Sequence, residues 1–166
     1  MTTVSGGETS DPSDISMELP RGSAVFVDTN ILLYTLASES ALHALARRRV
    51  QALQEAGAVF WTSRQVLREL LAAATRPGLL QEPNPVNHWL TAARDLEKTM
   101  HIAEEDSQVT VYLLELLKTP GARGKQVHDA NIVATMRRYE IPYLLTHNTV
   151  DFARYAPWVK ILPLVP

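Results

Sequence analysis

Asp28, Glu69, Asp129 and Asp151 are four carboxylates set in four separate, apolar-flanked segments of a 166-residue chain. Two of them follow strand-like runs and two sit within helix-like ones. Gathered at one edge of a fold, an oxygen-only set of this kind suits Mg2+ or Mn2+. Magnesium keeps several of its waters, so such a site stays open to a phosphate and to an attacking water. The ion lowers the pKa of that water and stabilises charge in the transition state at phosphorus. Carboxylates neutralise the ion and accept hydrogen bonds from its waters.

Each acid also has a plain structural use. Asp28 suits a helix N-cap as well as a metal site, and Asn30 beside it is a second cap candidate or a neutral ligand and orienter. Glu69 alone reads as a solvated helix glutamate, yet Val66, Leu70 and Ala73 place it at the margin of an apolar stripe. Asp129 fits the first turn of a helix, where acids complement the dipole. Ile132, Val133 and Met136 follow it at core spacing. Asp151 fits the cap of a short helix, and Thr146 and Asn148 fit turns.

The elements that must position these residues are legible as alternating runs. Ala24–Val27, Ala58–Trp61, Tyr143–Thr146 and Val159–Leu162 read as buried strands. Between them, helices are predicted from Ile31, over Ser40–Glu55, from Thr62 or Ser63 to about Thr75, from Asn84-Pro85 to about Met100, from Asp106 to before Pro120, and over Lys125–Tyr139. Continuous apolar strands alternating with helices predict an α/β fold with a central parallel sheet covered on both faces. In such sheets sites form at the carboxyl ends of the strands.

Composition narrows the class. The chain has no cysteine, which excludes disulfide scaffolds, thiol nucleophiles and cysteine-based metal sites and fits a reducing cytoplasm. No apolar run approaches the ~18–20 residues of a membrane span, and the N-terminus lacks the pattern of a secretory signal. The net charge is −2, but unevenly spread. Residues 1–21 read as a disordered tail, in which Glu8, Asp11, Asp14 and Glu18 face Arg21 alone. That leaves 15 bases and 14 acids for the body, residues 22–166.

Four segments then resemble, in order, the motifs of PIN-domain nucleases. They are Val25-Phe26-Val27-Asp28-Thr29-Asn30-Ile31-Leu32-Leu33-Tyr34, Ser63-Arg64-Gln65-Val66-Leu67-Arg68-Glu69-Leu70, Val127-His128-Asp129-Ala130-Asn131-Ile132-Val133-Ala134 and Leu145-Thr146-His147-Asn148-Thr149-Val150-Asp151-Phe152. Within that family the likeness is greatest to VapC-type toxins of toxin–antitoxin pairs, which Ala74-Thr75-Arg76-Pro77 and His128 also fit. The resemblance implies a three-layer α/β/α PIN domain over residues 22–166 and a metal-dependent endoribonuclease leaving a 5′-phosphate and a 3′-hydroxyl. It implies metal ligation by Asp28, Glu69, Asp129 and Asp151, with Thr146 and Asn148 in support. It further implies an RNA substrate, a homodimer and a small antitoxin that occludes the site. Some relatives carry another acid where Asn148 stands, so this chain has one charge fewer there.

Other readings compete. A housekeeping RNA-processing nuclease shares all four motifs. A phosphatase of the haloacid dehalogenase type needs a second Asp where Asn30 stands. A binding-only PIN module would be expected to lose acids that this chain keeps. Arg76, Arg123 and Lys125 are RNA-contact candidates because the resemblance puts their segments near the site. Arg47-Arg48-Arg49 reads as a solvated helix face. Trp61 and Trp89 read as core or interface residues, and Leu79, Leu80, Val86, Trp89 and Leu90 as ordinary core packing, with a dimer or antitoxin surface as the alternative.

Overall fold

The computed structural model describes residues 19–76, 86–118 and 123–165. Most of the acidic tail, Leu79 and Leu80, and the Asn84-Pro85 helix start lie outside them. Five strands, β1 (Ala24–Val27), β2 (Val59–Ser63), β3 (His101–Ala103), β4 (Tyr143–Thr146) and β5 (Lys160–Pro163), form one parallel sheet in the order β3-β2-β1-β4-β5. The helices α1 (Thr29–Leu36), α2 (His43–Glu55), α3 (Arg64–Ala74), α4 (Val86–Thr99), α5 (Ser107–Leu116), α6 (Gln126–Arg138) and α7 (Thr149–Phe152) cover it in three α/β/α layers. Among the described residues no helix is long and apolar enough to cross a membrane.

β1 is central because it is apolar throughout. Val25 and Phe26 are fully buried, Phe26 lying between Trp61 of β2 and Leu144 of β4. The chain leaves β1 toward β2 on one side and later lays β4 on the other, so the order reverses beside β1. That is where a parallel sheet opens a crevice at its carboxyl edge. Val27 is level with Leu145, and the Asp28 N–H donates to the Leu145 carbonyl at 3.1 Å. The residues following β1 and β4 are thereby held side by side.

The capping chemistry works as the sequence suggests. Ser63 accepts from the Val66 N–H at 3.2 Å and starts α3, and Asp106 accepts from the Val109 N–H at 3.1 Å and starts α5. Trp89 is the bulkiest fully buried side chain and anchors α4 in the core, while Val86 and Leu90 on the same helix are exposed.

Four expectations need correction. β3 was not expected: it has three residues, begins at exposed His101 and runs into Glu104-Glu105-Asp106, so it lacks an apolar run. α2 starts at His43 rather than Ser40, because the Ser40 hydroxyl accepts from the Leu42 N–H in a preceding turn. Trp61 is half-buried, with one face stacked on His101 at 4.8 Å between ring centres. Arg49 is only 6% exposed, unlike Arg47 and Arg48, because it lies on the face of α2 that also buries Ala46 and Leu53. At the other end of the body, Leu19 already packs into the core, and the Gly22 N–H donates to the Gly57 carbonyl.

Candidate active site

Asp28 follows β1 directly and caps α1, accepting from the Thr29 N–H at 2.7 Å. Its two suggested roles coincide, because the cap leaves Oδ2 facing the sheet edge. Oδ2 accepts from Thr146 Oγ1 at 2.6 Å and from Asn30 Nδ2 at 2.7 Å. Asn30 in turn accepts the His147 N–H at 3.0 Å through its Oδ1. Asn30 is thus an orienter, holding Asp28 with one end of its amide and the turn after β4 with the other. Burial pushes the Asp28 carboxyl above its ordinary range, as does the Glu69 charge, against the pull of these hydrogen bonds.

Glu69 is half-buried on α3 and held at both oxygens. Oε2 accepts from the Thr29 hydroxyl at 2.9 Å and Oε1 from Gln65 Nε2 at 2.8 Å. The His128 imidazole is exposed, with Nδ1 3.5 Å from Oε1. Asp151 lies in the first turn of α7, exposed, and accepts from Asn148 Nδ2 at 2.7 Å. Asn148 therefore supports Asp151 by its side chain while its own N–H donates to Thr146 Oγ1 at 3.0 Å.

Asp129, in the first turn of α6, is where the four acids register one another. Its carboxyl is pushed up to about 6, first by burial and then by the charges of Asp28, Asp151 and Glu69. Among the described residues it makes no side-chain hydrogen bond that would offset this. A carboxylate repelled by three others and lacking a donor is stabilised by a cation.

Among the described residues, no three His, Asp or Glu side chains form a closed cage for a metal ion. Asp28, Glu69 and Asp151 are turned instead toward the neutral donors Thr29, Asn30, Gln65, Thr146 and Asn148. The donor set nonetheless fits magnesium or manganese: it is all hard oxygen, and a cation that keeps its waters needs only one or two direct carboxylates.

Arg76, Arg123 and Lys125 are all exposed. Lys125 immediately precedes α6 and stands four residues before Asp129, on the same side of the helix. Arg76 lies past the end of α3, about two turns beyond Glu69. None of the three contacts the carboxylates. The sequence reading missed Thr29, Gln65 and Asn131. The last two are linked, with Asn131 Nδ2 donating to Gln65 Oε1 at 2.7 Å. Gln65 precedes Glu69 by one helical turn, a spacing that was available as a signal. Arg154 was also missed; it donates to Gln126 Oε1 at 3.2 Å at the start of α6.

A five-stranded parallel sheet with acids at the carboxyl edge beside its central strand defines the class. The chain belongs to the PIN-domain family, whose model matches residues 25–156. Its fold is similar to that of VapBC2 from Rickettsia felis bound to a promoter DNA fragment, at a TM-score of 0.62 and 16% identity over 84% of this chain and 98% of the other. It is similar to the sarcin–ricin-loop-cleaving toxin VapC20 of Mycobacterium tuberculosis, at 0.61 and 21% over 78% and 94%. A toxin–antitoxin complex from Klebsiella pneumoniae gives 0.59 and 24% over 86% and 98%. The sequence matches no curated protein.

Proposed function

We propose that this chain is a Mg2+- or Mn2+-dependent endoribonuclease and the toxin of a VapBC-type pair, acting on RNA in the cytoplasm as a homodimer and silenced by a small antitoxin over the acidic edge. The observation that carries the catalytic reading is the gathering of four acids, in which Asp28, Asp151 and Glu69 each raise the Asp129 carboxyl. The toxin reading is supported by the fold's likeness to solved toxin–antitoxin complexes.

A bound divalent ion supplies charge neutralisation and a more acidic water. Asp28, Glu69, Asp129 and Asp151 would hold it. Thr146 and Asn30 keep Asp28 aimed at the edge, Thr29 and Gln65 do the same for Glu69, and Asn148 for Asp151. Water adds its oxygen to phosphorus, the bond from phosphorus to the 3′ oxygen breaks, and that oxygen leaves with a proton. The products are a 5′-phosphate and a 3′-hydroxyl. Setting aside the four acids and the buried Arg49 leaves 14 bases against 10 acids on the rest of the body. Such a surface accepts a polyanion, with Arg76, Arg123 and Lys125 as contacts.

The test is cleavage of total RNA by the purified chain with Mg2+ or Mn2+ and with EDTA. Cleavage that needs the metal and vanishes in Asp28→Asn is expected, and expression should arrest growth in an Asp28-dependent manner. Cleavage indifferent to chelation sinks the mechanism. Harmless expression of an active nuclease points to the housekeeping role.

A further inference from the structure

We propose that Gln65 is a positioning residue that ties Glu69 of α3 to the first turns of α6 and so sets how tightly the acidic edge holds a divalent cation. The inference rests on the nuclease reading above. Gln65 is only 5% exposed, a burial that glutamine seldom reaches. Its amide is fully used. Nε2 donates to Glu69 Oε1 at 2.8 Å and to the His128 carbonyl at 3.1 Å, while Oε1 accepts from Asn131 Nδ2 at 2.7 Å. One orientation alone serves these partners. A carboxylate and a carbonyl only accept, so they face the NH2 group; the Asn131 NH2 group only donates, so it faces the oxygen. Asn131 therefore fixes Gln65, and Gln65 fixes Glu69.

The consequence reaches two acids at once. Glu69 is held at Oε2 from α1, through Thr29, and at Oε1 through the amide that also grips α6. The gripped carbonyl belongs to His128, immediately before Asp129 in the chain. A helix glutamate without such ties samples several rotamers, and ordering it on binding costs entropy. An amide is the suitable group for this work. A buried base at position 65 would neutralise Glu69, whereas a neutral amide aims the carboxylate and leaves its charge for a cation.

Calorimetric titration of the full chain with Mn2+ tests this, using Gln65→Met, Asn131→Leu and the double variant beside the wild type, each also followed by thermal unfolding. Met keeps the length and packing of Gln65 without its amide. Gln65→Met should stay folded and bind Mn2+ about 10–100-fold more weakly, the usual effect of removing a group that orients a ligand. Its RNA cleavage should need correspondingly more Mn2+ to reach half of its own maximum. Asn131→Leu should weaken binding in the same direction and add nothing to Gln65→Met, because it acts through that residue. Unchanged Mn2+ affinity in folded Gln65→Met overturns the proposal, as do additive losses in the double variant. Should Gln65→Met not fold, Asn131→Leu decides, and wild-type affinity there overturns it. A wild-type chain that binds no Mn2+ overturns the nuclease reading and this inference together. A binding wild type with unaffected variants overturns this inference alone.

Discussion

Thr146 Oγ1 donates to Asp28 Oδ2 across 2.6 Å, joining the carboxyl ends of β4 and β1 through two side chains that are both buried. The same hydroxyl accepts from the Asn148 N–H at 3.0 Å and from Asn30 Nδ2 at 3.3 Å. A hydroxyl has one proton and two lone pairs, and Thr146 uses all three. It binds the cap of α1 to the segment that carries Asp151, so Asp28 and Asp151 belong to one connected unit.

Thr146→Val tests that unit. Valine has the shape of threonine but strands the Asn148 N–H and removes a donor from Asp28, which costs about 1–3 kcal/mol. Burial then pushes the Asp28 carboxyl further up, since the Thr146 bond is the strongest pull holding it down. The expected result is an unfolding temperature lowered by several degrees and a pH profile of cleavage whose acidic limb moves to higher pH. Thr146→Ser should restore both. A Val variant with the wild-type profile would show that the hydroxyl is merely accommodated.

Asp129 makes metal-free stability depend on pH in a defined direction. Its ordinary value is 3.8 and its value in the fold is about 6, so the folded chain holds this proton more tightly than the unfolded one. Its contribution is fully present below about pH 4 and is lost as pH rises through 6. Asp129→Asn should therefore unfold with the wild type at pH 4 and a few degrees above it at pH 7.5 in EDTA, while cleaving no RNA. Manganese affinity of the wild type should rise across pH 5–7, because the ion competes with that proton. Thermal scans at both pH values decide: an Asp129→Asn chain less stable at pH 7.5 means that the carboxylate is structural.

Much of this was legible in the sequence, for identifiable reasons. The central strands were visible because Val25-Phe26-Val27 and Leu144-Leu145 are buried on both faces and so are continuously apolar. Asp28 and Asp151 were visible because they follow such strands, and Glu69 and Asp129 because apolar residues recur beside them at helical spacing. β3 was not, because a three-residue strand paired only with β2 needs no apolar pattern of its own. Asn131 was hidden for another reason: it acts on Gln65 across 66 residues of chain, and local spacing does not reveal a long-range pair. Arg49 was misread because a run of three arginines hides the helical period that turns the third one inward.

Arg49→Met follows from that misreading. Among the described residues Arg49 Nε and Nη1 are buried without an acceptor, and burial lowers the guanidinium below its usual pKa. Two of its nitrogens have lost water with no acceptor in return, whereas its aliphatic stem packs like any core side chain. Methionine keeps the stem and removes the charge, so the variant should unfold a few degrees higher, with cleavage unchanged because α2 carries no acid of the site. An unfolding temperature below wild type would show that the buried charge is compensated.

Asn148→Asp restores the acid that some relatives carry at this place. Asn148 now donates to Asp151 Oδ2 at 2.7 Å, and a carboxylate there exchanges that donor for a repulsion. Without metal the variant should unfold a few degrees below wild type, since like charges at hydrogen-bonding distance oppose each other. With Mn2+ the sign reverses. The added charge strengthens binding, and binding to the folded state alone raises stability in proportion to the logarithm of ligand over dissociation constant. The Mn2+-induced rise in unfolding temperature should therefore be larger in Asn148→Asp than in wild type, and calorimetry should show tighter binding. An equal rise in both chains would mean that position 148 lies outside the reach of the cation, and that Asn148 serves only to hold Asp151.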